Sequence, residues 1–322
     1  MKAITQDRYG SADVLQVRDI EEPKPGDHEV LVRVRAAGIA RGVLHVMTGE
    51  PYLMRLVGFG LLKPKNPVPG QDVAGTVTAI GDGVTRFTVG DEVFGIAKGS
   101  FAEYAVARED KLSHKPANLS FEEAAAMPIS GLTALRALDA AGVSDGSNVL
   151  IVGASGGVGT YAMQIAVAMG ATVTGVASGS KADLVTALGA QHVIDYTRED
   201  FADGAHKYDA VVDIGGMTPV SRLRRALQPK GTLVIVGGES GSKWSPGLGR
   251  QLTAAALSPV VSQRLTSILN KEHYSGLDRL AKLAATGEVK PCVERTYPLA
   301  GVPDAIRQLE AGKVRGQVVI TP

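Results

Sequence analysis

Residues 149–159 run from four apolar residues directly into a glycine-rich turn: Val149-Leu150-Ile151-Val152-Gly153-Ala154-Ser155-Gly156-Gly157-Val158-Gly159. A short unbroken apolar run is typical of a buried parallel strand, and glycines after it let the backbone turn sharply and approach a pyrophosphate closely. Apolar residues then recur at helical spacing from Val158 to Met169, which predicts a helix. This order of strand, turn and helix indicates a dinucleotide-binding unit, because a helix N-terminus favours the anionic phosphates.

The glycine motif has alanine in the first position of the usual triplet and reads Ala154-x-Gly156-x-x-Gly159. The candidate cofactor-binding residues in this motif are Ala154, Ser155, Gly156, Gly157, Val158 and Gly159. A tight turn that only joins a strand to a packed helix would produce a similar pattern, so the motif alone is weak evidence. The strands and helices predicted after it at regular intervals favour the dinucleotide-binding interpretation.

The composition is that of an ordinary globular protein with room for two domains. The 322 residues are 44% hydrophobic and 21% charged, with a formal net charge of +1. No long basic run is present, so charge gives no reason to expect nucleic-acid binding. The N-terminus lacks the apolar core of a signal peptide, and no stretch approaches the roughly 18 apolar residues of a spanning helix. We therefore expect no membrane span and a cytoplasmic location.

The pattern of the sequence changes at about residue 120. Before that point, short alternating segments bounded by Gly, Pro and Asp are typical of a compact β domain. After it, Ser120 is placed to cap a helix, and strands then alternate with helices, which predicts a doubly wound parallel sheet. The predicted strands are 172–177, 192–195, 210–214 and 232–236, and the predicted helices are 181–188 and 219–227.

A further strand of this sheet is predicted within residues 252–261. An exposed sheet edge there would pair with a second copy, so we expect a homodimer. Residues 276–322 contain two amphipathic helical patterns and a terminal strand, and we expect them to return to the first domain. The predicted division is therefore 1–120, 121–265 and a C-terminal segment, 266–322.

Six segments together resemble the medium-chain dehydrogenase/reductase superfamily, and within it the zinc-free quinone oxidoreductase and enoyl reductase branch. These segments are Gly70-Gln71-Asp72-Val73-Ala74-Gly75, Val89-Gly90-Asp91-Glu92-Val93, Ser130-Gly131-Leu132-Thr133-Ala134, Ala154 to Gly159, Lys230-Gly231-Thr232-Leu233 and Arg315-Gly316-Gln317-Val318-Val319. The resemblance covers nearly the full length of the chain. It implies an α/β protein with a Rossmann cofactor domain and a GroES-like, mostly β catalytic domain. The implied substrate is a small hydrophobic carbonyl compound or quinone.

The zinc-dependent alcohol dehydrogenases of that superfamily carry a cysteine where this chain has Ala40, and a histidine and a glutamate where it has Gln71 and Asp72. A catalytic zinc needs about three protein ligands, and Ala40 supplies none. The single cysteine, Cys292, excludes a multi-cysteine zinc site. We therefore expect no metal, and the loss of a Lewis acid favours reduction of quinones or activated alkenes.

The end of the second predicted strand distinguishes the two nicotinamide cofactors, because an acidic residue there binds the ribose 2′-hydroxyl of NAD. The chain has no carboxylate between this strand and Asp183. The hydroxyls of Ser178 and Ser180 and the ammonium of Lys181 suit a 2′-phosphate, and the resemblance adds Tyr196. We therefore expect NADPH. A capping box that starts at Ser180 is the alternative explanation for these residues, although it leaves the missing acid unexplained.

The resemblance also implies which residues act on the nicotinamide and the substrate. Thr133 and the Gly237-Gly238 turn would hold the nicotinamide, and Tyr52 would supply the proton that alkene reduction needs. Quinone reduction does not need this proton from the protein. Without the resemblance, Thr133 fits a helix-surface hydroxyl and Tyr52 an amphipathic loop residue.

Two further features precede the β strands that are predicted at residues 73–81 and 90–95. Arg41 is expected to reach the cofactor pyrophosphate, while His45 fits a structural histidine. Residues 52–63 are longer and more apolar than a connector needs to be, and we predict an apolar wall or lid over the substrate. A helix packed on the core and a membrane-surface patch are the alternatives for this segment.

Two other functions stay open at the level of sequence. One is a zinc-free enzyme that resembles an alcohol dehydrogenase in its chemistry. The other is a regulatory protein that binds NADPH without turning it over, which the absent metal ligands and the single candidate proton donor permit.

Overall fold

The computed structural model describes residues 1–238, 248–268 and 272–322. The chain divides into two compact units. It leaves the first unit after Leu132 and returns to it at Glu272. We call Met1–Leu132 together with Glu272–Pro322 the terminal unit, and Thr133–Lys271 the central unit. None of the helices in the described ranges has the length and apolar character that a membrane crossing requires.

The terminal unit consists mainly of β-strands. Its strands are β1 (Lys2–Thr5), β2 (Gln16–Asp19), β3 (Glu29–Gly38), β4 (Asp72–Ile80), β5 (Glu92–Ile96), β6 (Tyr104–Arg108), β7 (Leu112–His114), β14 (Val293–Pro298) and β15 (Gln317–Thr321). Its helices are α1 (Gly42–Thr48), α2 (Tyr52–Met54), α3 (Phe121–Ala125), α9 (Tyr274–Ala285) and α10 (Val302–Glu310). Strands β1 and β2 form a hairpin sheet, and the seven others form one sheet in the order β14-β15-β3-β4-β5-β7, with β6 also paired to β3.

Strand β3 lies at the centre of the large sheet and shows why the sequence alternates there. Val32 and Val34 are buried in the core, whereas Arg33 and Arg35 between and after them are exposed. The C-terminal strand β15 pairs antiparallel to β3, with Val319 opposite Gly38. The last strand of the chain therefore pairs with β3 in the large sheet of the terminal unit.

The central unit is a parallel sheet with helices in its connections. Its strands are β8 (Asn148–Val152), β9 (Thr172–Ala177), β10 (His192–Asp195), β11 (Tyr208–Asp213), β12 (Leu227–Ile235) and β13 (Arg264–Ser267). Its helices are α5 (Gly157–Ala168), α6 (Ala182–Ala187), α7 (Val220–Arg225) and α8 (Leu248–Leu257), and α4 (Pro128–Ala141) contains the boundary between the units. The strand order is β10-β9-β8-β11-β12-β13, which confirms the predicted doubly wound sheet.

The strand predicted within residues 252–261 is wrong. This stretch forms most of α8 and a 3-10 turn, and the sixth strand is β13, which pairs in parallel with β12. The physical reason is the run of three alanines, the strongest helix formers, on a pattern with one buried side. Ala254 is 1% exposed, whereas Leu252 is 61% exposed. The edge strand of the described sheet on this side is therefore β13.

Candidate functional site

The glycine-rich turn joins β8 to α5. Gly153 has a φ of 90°, a conformation that favours glycine, and Gly156 is the N-cap of α5. A Cβ on Gly159 would overlap the carbonyl oxygen of Gly153, so glycine is required for α5 to start so close to the strand. The N–H groups of Gly157, Val158 and Gly159, in the first turn of α5, have no acceptor within the helix and can bind phosphate oxygens.

Alanine fits the first position of the motif because its side chain turns into the protein. The Ala154 N–H donates to the Val176 carbonyl over 3.1 Å, and Ala154 is fully buried. A Cβ on Gly175 of β9 would lie 3.0 Å from the Ala154 Cβ. The absence of a side chain at Gly175 therefore makes room for the methyl group of Ala154. Ser155 beside it is 8% exposed.

The turn after β9 brings three of the predicted phosphate-binding residues together. The Oγ atoms of Ser178 and Ser180 lie 3.2 Å apart, and the Lys181 N–H donates to the Ser178 carbonyl over 2.9 Å. Lys181 occupies the N-cap position of α6, which begins at Ala182. Ser180 lies one residue earlier, in a 3-10 turn, and the capping box on Ser180 stays the alternative explanation for this segment.

Sequence reasoning missed a carboxylate at this turn, that of Asp195 at the end of β10. Asp195 lies opposite Ala177 in the parallel register. Its carboxylate accepts hydrogen bonds from the Thr197 hydroxyl over 2.7 Å and the Thr197 N–H over 3.0 Å, and from the Gly179 N–H. These bonds, and Arg198 at 3.8 Å, hold the pKa of Asp195 below its usual value. The ionised carboxylate is 16% exposed and anchors the turn.

Tyr196 follows Asp195 and is 61% exposed. Its N–H donates to the Ala177 carbonyl over 3.2 Å, which fixes the Tyr196 backbone beside the end of β9. The Arg198 side chain is 83% exposed, so this turn carries a cation that the sequence analysis did not name. The common edge of parallel strands β9 and β10 was the signal that could have located both Asp195 and Arg198.

The predicted nicotinamide turn, Gly237-Gly238, follows β12 and packs on a second glycine turn that was not predicted. A Cβ on Gly237 would overlap the Ile214 carbonyl oxygen and lie 3.0 Å from the Gly216 nitrogen. A Cβ on Gly153 would lie 3.0 Å from the Gly215 nitrogen. Three glycine turns, at the carboxyl ends of β8, β11 and β12, therefore meet backbone to backbone. The carboxyl edge of a parallel sheet is where such folds bind ligands.

Thr133 is the first residue of the central unit and lies on α4, where it is 6% exposed. The central unit thus contains every predicted cofactor residue except Arg41. Arg41 belongs to the terminal unit, occupies the N-cap position of α1 and is exposed. Its contact with the pyrophosphate stays a prediction.

Tyr52 begins α2 in the terminal unit and packs against an arginine. The Arg55 guanidinium carbon lies 4.6 Å from the centroid of the Tyr52 ring and 4.3 Å from that of Tyr9. Arg55 also donates to the carbonyls of Gly49 over 2.9 Å and Thr48 over 3.1 Å. Arg55, which sequence reasoning missed, therefore ties the candidate proton donor to the end of α1.

His45 supports the same loop, because its Nδ1–H donates to the Glu50 carbonyl over 2.9 Å. This hydrogen bond agrees with the structural interpretation of His45. After α2 the chain continues as a π-helical turn, Arg55–Phe59, in which Leu56 is 68% exposed. Leu62 lies beyond this turn and is 84% exposed. The apolar wall or lid predicted for residues 52–63 stays a prediction.

The residues at the zinc positions of the dehydrogenases do not fit a metal. Ala40 has no donor atom, and the Asp72 carboxylate, 3% exposed, accepts the Ile129 N–H over 2.7 Å at the start of α4. Burial raises the pKa of Asp72 well above its usual value. Within residues 1–238, 248–268 and 272–322, no group of three or more His, Cys, Asp or Glu side chains is placed to hold a metal ion.

Two protein families match the chain by sequence. The family described as "Alcohol dehydrogenase GroES-like domain" matches residues 26–117, and the family described as "Zinc-binding dehydrogenase" matches residues 188–320. The 2-methylene-furan-3-one reductase of Solanum lycopersicum is 33% identical over 338 residues, which cover 100% of this chain and 79% of that protein.

Solved structures agree in fold along the whole chain. A structure described as an NAD-dependent alcohol dehydrogenase has a TM-score of 0.83 and 31% identity, with 100% of both chains covered. The quinone oxidoreductase of Escherichia coli, solved in complex with NADPH, has a TM-score of 0.84 and 28% identity, again with 100% of both chains covered.

Proposed function

Because the chain belongs to the medium-chain dehydrogenase/reductase superfamily, we propose that it is an NADPH-dependent oxidoreductase that reduces a quinone or an activated alkene, such as an enone or enal, without zinc. The observation that carries this proposal is the pair of residues, Ala40 and Asp72, at two of the positions that hold zinc in the zinc-dependent dehydrogenases. Ala40 offers no ligand, and the Asp72 carboxylate is engaged by the first turn of α4. Such a site lacks the Lewis acid that polarises an alcohol oxygen.

The residues of the central unit fit NADPH. The first-turn N–H groups of α5 would bind the pyrophosphate, and Ser178, Ser180 and Lys181 would bind the 2′-phosphate, with Tyr196 packed beside it. Thr133 and the 237–238 turn would orient the nicotinamide. NADPH, when bound, supplies the hydride. The E. coli relative with NADPH bound supports this choice over NADH.

In the terminal unit, Tyr52 has the chemistry of a proton donor. After hydride addition to the β carbon of an enone, its hydroxyl would give a proton to the α carbon and leave a phenolate. The Arg55 guanidinium beside the ring would stabilise that phenolate. A hydroquinone product takes its protons from solvent, so quinone reduction does not depend on Tyr52.

A second candidate, alcohol oxidation, is favoured by the likeness to the NAD-dependent alcohol dehydrogenase. That reaction with NAD would call for an acidic partner of the ribose hydroxyls at the end of β9, where this chain has serines and a lysine. Metal analysis of the purified protein tests the zinc-dependent form of this candidate, since a zinc alcohol dehydrogenase must contain stoichiometric zinc. Formation of NADH from NAD and an alcohol tests the zinc-free form.

We also place the protein in the cytoplasm as a homodimer. Support for the dimer is β13, the edge strand of the described sheet. The Leu265 N–H of this strand already donates to the Ser258 hydroxyl over 3.1 Å, so a second copy would pair with the other backbone groups of this edge. Light scattering in solution would give twice the mass of the 322-residue chain if the proposal is right, and a single chain mass if it is wrong.

The function is tested by measuring NADPH oxidation with a panel of acceptors: a benzoquinone, an enone and a simple ketone. Turnover with the quinone or the enone, and little with the ketone, is the expected result. If NADPH binds and no acceptor is reduced, the protein is a cofactor-binding regulator instead.

A further inference from the structure

A buried ion pair contacts the glycine turns of the central unit. Asp213, the last residue of β11, is fully buried, and its carboxylate binds the guanidinium of Arg250 on α8. The Arg250 side chain is itself only 11% exposed. Arg250 also donates to the Gly237 carbonyl over 3.2 Å. A charged pair therefore contacts the turn predicted to hold the nicotinamide.

Asp213 connects the two neighbouring glycine turns. Its backbone carbonyl accepts the N–H of Val236 over 2.9 Å and the N–H of Gly237 over 3.1 Å. The Gly237 backbone in turn packs against the turn after β11, since a Cβ on Gly237 would overlap the Ile214 carbonyl oxygen and lie 3.0 Å from the Gly216 nitrogen. Because Arg250 binds both the Asp213 carboxylate and the Gly237 carbonyl, the pair joins the end of β11 to the turn after β12.

Stability alone does not account for such a pair. Removing two charges from water costs free energy that their attraction only partly recovers, and apolar residues of similar volume often stabilise a protein as well or better. What an apolar pair could not do is donate to the Gly237 carbonyl and so hold it in a fixed position. Removing the arginine alone would also leave a buried carboxylate beside the binding edge for an anionic cofactor.

We propose that Arg250 is a positioning residue for the nicotinamide half of the cofactor. Through Asp213 and Gly237, it fixes the spacing of the turns at residues 215–216 and 237–238, and it neutralises the Asp213 carboxylate. This inference rests on the proposed function, because it places the nicotinamide on these turns. The adenosine half of the cofactor, bound at the ends of β9 and β10, does not depend on Arg250.

Substitution of Arg250 by methionine tests whether this residue affects the nicotinamide half of the cofactor and not the adenosine half. Arg250→Met should raise the Kd of NADPH by about tenfold or more, as expected for a lost charged contact. The Kd of 2′,5′-ADP, which has the 2′-phosphate and no nicotinamide, should not change. Both constants can be measured by calorimetry on the full-length protein.

The matched control is Arg224→Met in the same unit. Arg224 lies on α7, is half-buried and donates to the neutral Gln263 side chain over 2.9 Å. This variant should bind both ligands as the unchanged protein does. If Arg250→Met does not fold, Arg250→Lys keeps the charge but loses the planar fork, and should show the same selective effect on NADPH.

An equal loss of affinity for NADPH and 2′,5′-ADP would overturn the inference, because it would indicate a general structural role. Unchanged affinity for both ligands would overturn it as well. Failure of the unchanged protein to bind NADPH would instead contradict the proposed function, and that measurement is made before any variant.

Discussion

The glycine turns of the central unit and the Tyr52 loop of the terminal unit are held by different kinds of contact. The glycine turns are backbone packed on backbone, at positions where Gly159 and Gly237 leave no room for a Cβ. The Tyr52 loop is side chain packed on side chain, with Arg55 against two tyrosine rings. A backbone site restricts which residues its sequence can contain, whereas a side-chain site can be assembled from residues far apart. A backbone site therefore suits a cofactor that many enzymes of one family use. A side-chain site suits a substrate that differs from one enzyme to another.

The largest effect is expected from Gly159→Ala. The added methyl group would overlap the Gly153 carbonyl oxygen and lie 2.7 Å from the Ala154 carbonyl carbon, so α5 must move away from β8. We expect a loss of about 1–3 kcal/mol in the free energy of unfolding. We also expect NADPH affinity to fall by about a hundredfold. Denaturant unfolding and calorimetric titration measure the two effects.

Gly156→Ala is the matched control for that substitution. A Cβ at Gly156 would have its nearest neighbour at 3.6 Å, and the residue has an ordinary φ of −86°. This variant should lose less than about 1 kcal/mol in the free energy of unfolding, since alanine is a poorer N-cap than glycine. Its NADPH affinity should fall by about tenfold, because the added methyl group would face the pyrophosphate. Tight NADPH binding by Gly159→Ala would show that the turn is not the cofactor site.

On the side-chain site, Tyr52→Phe should lower kcat for an enone by about a hundredfold, since a positioned proton donor contributes that order of rate. The rate with a benzoquinone should be retained, because that product takes protons from water. Tyr104→Phe on β6 is the control and should change neither rate. An equal fall with both acceptors would assign Tyr52 to binding rather than proton transfer.

A smaller effect is expected at the turn after β9. Lys181→Ala should raise the Kd of NADPH by about tenfold, the size of one charge-assisted hydrogen bond, and leave the Kd of NADH unchanged. Lys230→Ala, which removes an exposed lysine of β12, controls for the change in net charge. If both cofactors weaken equally, Lys181 supports the turn and does not select the phosphate.

The smallest effect is expected from Leu56→Ala. If the exposed Leu56 side chain forms part of an apolar wall, its truncation should raise KM for a bulky quinone by about threefold, from the apolar area lost. KM for a small quinone should not change. Leu252→Ala on α8, where the leucine is 61% exposed against 68% for Leu56, should leave both values unchanged. Identical KM values for Leu56→Ala and the unchanged protein would remove the predicted wall.

Much of the central unit could be predicted because its constraints are local. Strands β9 and β10 begin and end at the predicted residues, and the glycine turn lies where the motif indicated. Within this unit, residues 252–261 were misassigned because an alanine-rich apolar run fits both a buried strand and a helix with one buried side.

The contacts that organise the sites could not be predicted, since each joins residues distant in the sequence. Asp213 and Arg250 are 37 residues apart, and Asp72 reaches Ile129 over 57 residues. The Tyr9 ring meets Arg55 from a different part of the chain. No period or motif marks such partners. The carboxyl ends of the parallel strands were the available guide for Asp195 and Asp213, because those ends share one edge of the sheet.

The central claim, hydride transfer from NADPH without zinc, is tested most directly by the rate of NADPH oxidation before and after exhaustive chelation. With a benzoquinone and an enone as acceptors, the account predicts the same rate in both samples and a preference for NADPH over NADH of about tenfold. A rate that disappears on chelation and returns with Zn²⁺ would contradict it.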